Sequence, residues 1–480
     1  MLDALVDLMD AAASRCAYAD ARWVDRSRES ASVVDGAIEA IGVLDEEGVG
    51  VRVRVDGAWG FAATQDVSRA GLEDVLRRAL ALAEAQPRRP AAAPLAPVDP
   101  ARGSWEGPCA VDPFGISLEE KLGLLLAADE AMAGDARIAR RRASTVSERT
   151  VKAFASTDGA ACEQAFTECG GAIVAVAVEG GELQVRSFPS AHDGDVAQAG
   201  WEHVRALDLP GNGARVADEA IALLSAPPCP AGPTTVVLGS EQVALQLHES
   251  IGHALELDRM LGFEAAYAGT SWVAPDDVGS VRYGSDALNV EADATLPGGL
   301  GTCGWDDEGV PARRFRLVEG GRLVATLSSR ETAGATGLGG SGGAMRADGF
   351  ARQPLVRMTN VSLEPGDGGT LEDLVSGVDE GLYLETNRSW SIDDRRLHFQ
   401  FATELAREIR GGDLGGLRRN PIYAGVTPRF WASLDAVGSA DAWRVHCLLN
   451  CGKGEPGQLA HVSHGAAPAR FVGVDVRTAG

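Results

Sequence analysis

His248-Glu249-Ser250-Ile251-Gly252-His253 places two imidazoles on either side of a carboxylate, in a stretch whose apolar spacing is helical. Two neutral imidazoles can hold a divalent metal while a neighbouring glutamate accepts a proton from water, the division of labour found in hydrolytic zinc sites. The spacing departs from the commoner pattern with two intervening residues after the glutamate. Residues i and i+4 lie roughly 40° apart around an α-helix, whereas i and i+5 diverge by roughly 140°. A π-type widening of one turn would return both rings to one face, and Gly252 is a residue that tolerates such distortion. The sequence therefore predicts a helix that is irregular across Ser250, Ile251 and Gly252.

The flanking residues supply the context. Val236-Val237-Leu238 reads as a buried strand, Gly239-Ser240 as a turn and N-cap, and Glu241 suits the positive end of the helix that follows. Val243, Leu247, Ile251 and Leu255 recur every four residues, so one stripe packs inward. Two histidines leave a hydrolytic metal site one protein ligand short. Glu256, three residues beyond His253, is one candidate, as ligand or as the carboxylate that orients the His253 ring. Cys451, in the glycine-rich Cys451-Gly452-Lys453-Gly454, is another, with Lys453 available to favour its thiolate. Cys447 and Cys451 read equally well as small buried apolar residues.

Taken together, the strand before the helix, His248 to Asp258, Asp306-Asp307-Glu308-Gly309, Arg357-Met358-Thr359-Asn360, Cys451-Gly452-Lys453, Gln458 and Val462-Ser463-His464-Gly465 resemble the TldD/PmbA metallopeptidases, and in particular the TldD-type catalytic subunit. The resemblance implies His248, His253 and Cys451 as metal ligands and Glu249 as general base. It implies zinc, with iron or manganese as alternatives. It also implies a heterodimer with a TldE/PmbA-type subunit, or else a homodimer, acting on unfolded peptides or on leader regions of modified peptide precursors. Two other readings compete: a non-catalytic scaffold subunit that keeps a structural metal site, and a small-amide hydrolase. The Asp306-Asp307-Glu308 run is read as a turn or as support to the site, without a catalytic role.

Composition narrows the class. With 45% hydrophobic residues over 480 positions, the chain has ample core for two to three domains. A net charge of -24 argues against a nucleic-acid partner, because phosphate binding draws on clustered Lys and Arg. No apolar run reaches the ~20 residues of a membrane span, and Met1 to Asp10 is acidic and amphipathic, unlike a signal peptide. Eight scattered cysteines suit a reducing compartment, so cytoplasm is the expected location. Arg137 with Arg140 to Arg142 reads as a solvated strand end.

The expected fold class is α+β: an N-terminal α/β domain over residues 1–226 and a β-rich C-terminal metallopeptidase domain over residues 227–480 that carries the two-histidine helix. Pro227 to Pro233 marks the boundary, since so many prolines and glycines continue neither helix nor central strand. Helices are expected near residues 2–14, along Leu72 to Ala83, from Ser117 with a Glu120 capping box, and near 214–225. Residues 51–63 read as a hairpin turned at Asp56-Gly57, and 87–115 as a connection without period. Arg314 to Val318 and Leu323 to Leu327 read as a second hairpin. Gly334 to Gly349 reads either as a mobile loop over the cleft or as a plain surface loop.

Overall fold

Aspartate-glycine pairs with positive φ fold the first half into long antiparallel hairpins. Asp35 and Gly36 (50° and 78°) reverse the chain between Tyr18–Val34 and Ala37–Val55, and Asp56 and Gly57 (49° and 81°) do so before Ala58–Thr64. Two successive positive φ angles match the right-handed twist of paired strands, which is why this dipeptide recurs in tight hairpins. The computed structural model describes residues 1–88, 92–192 and 194–478. Part of the expected connection, residues 89–91, lies outside these.

Within the α+β class, the first sheet is antiparallel apart from one pair. Ile138–Ser156 joins Tyr18–Val34, then Ala161–Glu179 follows, with Glu182–Phe188 and Asp195–Gln198 both pairing to it. Arg102–Glu106 adds to Ala161–Glu179 in parallel, which corrects the reading of residues 87–115 as wholly irregular. Its five residues are too few to display an alternation. Helices Leu2–Ala12 and Arg69–Ala85 pack Leu5, Val75 and Leu76 against Val49, Val51 and Val53. Helices Leu118–Ala131 and Leu209–Ser225 cover Ile173 and Ala175 farther along the sheet. Ser117 caps as expected by accepting the Glu120 N–H at 3.1 Å, but the Glu120 carboxylate turns to Arg205 instead of closing a box.

The second half is built on a closed ring. Gly232–Leu238, Ala469–Thr478, Pro421–Val426, His398–Arg410 and Glu380–Ile392 pair in that order, and the last returns to the first. Closure leaves these strands without a free edge along the paired stretch. The expected strand Leu323 to Leu327 is shorter than read: only Arg322–Leu323 pairs in the hairpin. The chain then leaves, because Leu327 bonds both to the Leu255 carbonyl and to the Leu257 amide at the end of the two-histidine helix.

The halves meet through buried charge. Asp306 accepts the amides of Glu308, Val310 and Met345; Asp307 faces Lys152 and Arg22; Glu308 accepts from Arg52 and from the Arg330 amide. The acidic run is thus a clasp between the two halves of the chain. Met345 and Ala347 are held by it, so this end of the glycine-rich segment is anchored at the interface and does not border the histidine cleft, which overturns the cleft-loop reading of the two. Arg186 spans the same interface, ringed by Glu219, Glu385 and Glu404.

Burial pushes Glu404 up to about 7, against the pull of Arg186; burial and Glu404 push Glu241 up to about 8; and burial with Glu308 pushes Asp306 up to about 8. All three folded values exceed the unfolded ones, so the native state holds protons that the unfolded chain releases. Their contribution is complete below about pH 4 and fades as pH climbs through 7 to 8. Buried neutral histidines act in the opposite direction as unfolded imidazoles lose their protons near pH 6.5, so the test is differential: the urea midpoint of Glu241→Gln minus that of the unaltered protein should rise between pH 6 and pH 8.5. A difference that stays flat or falls over this range would contradict the assignment.

Candidate metal centre

The helix that begins at Ser240 is regular only to Leu247; His248–Gly252 is a π-turn, and His253–Leu255 tightens to a 3-10 turn. The His253 amide bonds the His248 carbonyl five residues back. This is the widened turn that the i, i+5 spacing requires, and it brings the two rings to 4.6 Å between centroids. Carbonyls loosened by the irregularity find side-chain donors: Tyr283 Oη to the Ser250 carbonyl at 2.6 Å, and Ser271 Oγ to the Ala254 carbonyl at 2.7 Å. Val243, Leu247, Ile251 and Leu255 are fully buried on the inward stripe. Gly239 is the N-cap, and the Ser240 hydroxyl instead meets His446 at 2.9 Å.

Gly252 has an ordinary helical φ of −52°, so torsional freedom is not what requires glycine here. A Cβ at this position would stand 2.0 Å from Met358 Sδ. The close approach of Met358, in the Arg357 to Asn360 motif, sets the requirement.

Cys451 reaches the histidines from the ribbon Arg444–Lys453 and Gln458–Ala466. One ligand atom from each of His248, His253 and Cys451 lies within 4.8 Å of the others, and all three residues are buried. Cys451 Sγ is 3.5 Å from His253 Nε2. Burial works to raise the Cys451 thiol, and the guanidinium of Arg357 works against it. Cys447 does not join the group; its sulfur accepts the Val196 amide where the two halves of the chain meet.

Hydrogen bonds fix which imidazole nitrogens carry lone pairs. His464 Nδ1 lies 2.7 Å from the Val361 carbonyl, which only accepts, so this nitrogen holds the proton. His464 is held neutral by burial and by His248, leaving its Nε2 as an acceptor for His248 Nδ1–H at 2.7 Å. His253 Nδ1–H donates to Glu256 Oε2 at 3.1 Å. Both Nε2 atoms are therefore unprotonated donors toward the shared space. Burial lowers His248 to about 4 and lowers His253 too, keeping both rings neutral. Glu256, one of the two candidates for third ligand, is a support: burial would raise it, but Lys453, His253 and Arg259 hold it well below the usual carboxylate range. Two directed imidazoles and a thiol form a donor set that suits a borderline-soft divalent metal.

Glu249 lies beside this set, on the wall of a cleft of about 340 Å³ bordered by Trp390, Ile392, Leu448 and Asn450. Its Oε2 accepts from Arg396 Nη1 at 2.5 Å. Sequence reading missed three residues: Arg396, on the tight turn after Glu380–Ile392; Arg357, which donates to the carbonyls of Cys451 and Gln458; and His464, which accepts from His248 Nδ1–H. The motifs containing Arg357 and His464 were visible, but their partners are distant in sequence. A second group, Glu148, Glu168 and His461, is already compensated: His461 pairs with Glu168 at 2.6 Å and Glu148 faces Arg26 and Arg28.

Comparisons agree along most of the chain. Residues 231–476 match the PmbA/TldA metallopeptidase C-terminal domain, 19–83 match domain 1 of that family and 111–224 its central domain. A metalloprotease of Methanocaldococcus jannaschii is 29% identical, with 95% of this chain and 96% of that protein covered. A Haemophilus influenzae metalloprotease described as a TldD homolog is 26% identical, with 83% and 80% covered. A zinc metalloprotease TldD homolog of Saccharolobus solfataricus is 29% identical over 41% of this chain and 42% of that one. The fold is that of TldE from Thermococcus kodakarensis (TM-score 0.76, 16% identity, 98% and 99% covered) and of a putative modulator of DNA gyrase from Thermotoga maritima (0.78, 17%, 99% of each).

Gly252→Ala is expected to cost about 1–3 kcal/mol through overpacking against Met358. In a Met358→Ala background the same change should cost little, as measured by urea denaturation of the four proteins. Equal cost in both backgrounds would show that some other feature requires the glycine.

Proposed function

This chain belongs to the PmbA/TldD metallopeptidase family, and from that premise we propose that it is a zinc-dependent peptidase with His248, His253 and Cys451 as metal ligands and Glu249 as general base. The convergence of two Nε2 lone pairs and a thiol beside a carboxylate is the observation that carries this reading. Bound zinc would polarise a peptide carbonyl and lower the pKa of a water toward about 7. Glu249 takes the proton from that water and returns it to the leaving amine nitrogen. His464 and Glu256 keep the imidazole protons on Nδ1, away from the metal, as outer partners of metal-bound histidines do.

A structural metal site would close all four positions with protein groups. Here three donors face a cleft walled by Glu249, which favours catalysis over a scaffold role. The cleft also suits an extended peptide. The ribbon strand Arg444–Lys453 carries a ladder on one side only among the described residues, and residues 390–392 border the opposite wall. An added strand would bind through its main chain, whatever its side chains, as fits unfolded peptides and leader regions. Trp390, Ile392 and Leu448 offer apolar contacts to alternate side chains.

The fold shared with TldE supports pairing with a TldE-type subunit. No helix among the described residues is long and apolar enough to cross a membrane, and the cysteines form no disulfide there, which supports a cytoplasmic setting.

Glu249→Gln should keep full zinc content while kcat on unfolded peptides falls by at least about 100-fold. Cys451→Ser should lose metal, measured by plasma emission after dialysis. Turnover retained by metal-loaded Glu249→Gln would refute the base; full metal in Cys451→Ser would refute the thiolate ligand. Peptide cleavage should rise on adding a TldE-type subunit, and equal activity of the chain alone would favour a homodimer.

A further inference from the structure

Arg396 occupies the one left-handed non-glycine position of its turn, φ 60°, between strands Glu380–Ile392 and His398–Arg410. The turn is well braced: the Arg396 amide donates to the Asp393 carbonyl at 2.9 Å, the Leu397 amide to Asp393 Oδ1 at 2.8 Å, and Thr427 Oγ1 to the Arg396 carbonyl at 2.7 Å. A non-glycine residue held at positive φ carries a backbone cost that the surrounding bonds must offset, and such positions cluster at functional sites. The side chain is mostly buried and reaches into the cleft, where Nη1 meets Glu249 and Nε has no partner. Among the described residues that border this cleft, it is the cation.

Resting on the peptidase reading, we propose that Arg396 is a further catalytic residue, which donates to the oxyanion that forms on the scissile carbonyl carbon. When water adds to that carbon, a C–O bond forms, the carbonyl π pair moves to oxygen and Glu249 receives the proton. When the C–N bond breaks, the pair on oxygen reforms the carbonyl and the departing nitrogen takes the proton from Glu249. Through both steps the oxygen bears negative charge close to Glu249, within the span of a guanidinium that already holds this carboxylate. A guanidinium has five N–H donors in a rigid fork, so one edge can stay on Glu249 while another meets the oxyanion. In the resting protein the same ion pair keeps Glu249 at the cleft wall.

The test uses full-length, metal-loaded protein together with its native partner where one is required. Arg396→Gln should lower kcat about 10²–10³-fold, the loss typical for removal of one oxyanion donor, with KM changed less than about threefold. Arg396→Lys should fall between the two. Metal content should be unchanged in both. Affinity for a phosphinic peptide, which mimics the tetrahedral oxyanion, should fall by the same factor as kcat/KM, while affinity for a peptide hydroxamate should stay within about threefold. Unchanged kcat, or a drop in kcat with phosphinic affinity intact, would overturn the proposal, the latter marking Arg396 as a positioning residue for Glu249. Absence of peptide cleavage by the wild-type protein would instead count against the peptidase reading, independently of Arg396.

Discussion

The ion pair between Glu256 and Lys453 joins the two chain segments that carry the donor atoms, and neither side chain is exposed to solvent. Glu256 lies three residues after His253 and holds its Nδ1–H. Lys453 lies two residues after Cys451, on the same face of its strand, because side chains alternate with a period of two. Lys453 Nζ also donates to Asp258 at 2.7 Å and to the Val356 carbonyl at 2.7 Å. A buried pair of this kind adds little net stability, yet removal of one partner costs about 3–5 kcal/mol. Its effect is therefore to fix where the ribbon lies against the helix, and so where the sulfur stands relative to the imidazole. Arg357 reinforces the same alignment from the ribbon's backbone.

The ribbon is gripped from its other side by the N-terminal half. Val196 donates to Cys447, His461 pairs with Glu168, and Leu449 packs with Val146, Val196 and Leu300. The strand that presents Cys451 is thus held between the two halves of the protein. This explains why the Asp306 to Glu308 clasp, which is remote in sequence from the donors and makes no contact with them, belongs with the motifs that surround the site: it sets the docking of one half against the other.

Much of the centre was legible from spacing. Histidines at i and i+5 with an intact inward stripe leave few options, and the π-turn is the one the chain adopts. The reason for Gly252 was not legible, because Met358 reaches it from 106 residues further along the chain, and a local reading sees only torsional freedom. His464 was visible within a motif but had no role, since its partner His248 is 216 residues away. Arg396 carried no signal at all: one arginine in a charged turn reads as solvated, and only the folded ring brings that turn over the glutamate. In the fold, the Asp-Gly hairpins and the amphipathic helices announced themselves, whereas the short parallel strand Arg102–Glu106 depends on a neighbour that no local pattern reveals.

The central claim is that two imidazoles and one thiolate hold the metal. Zinc K-edge X-ray absorption of the zinc-loaded protein tests it directly. One Zn–S distance near 2.3 Å with two Zn–N distances near 2.0–2.1 Å is the expected first shell. A shell of nitrogen and oxygen alone, with no sulfur, would contradict the account.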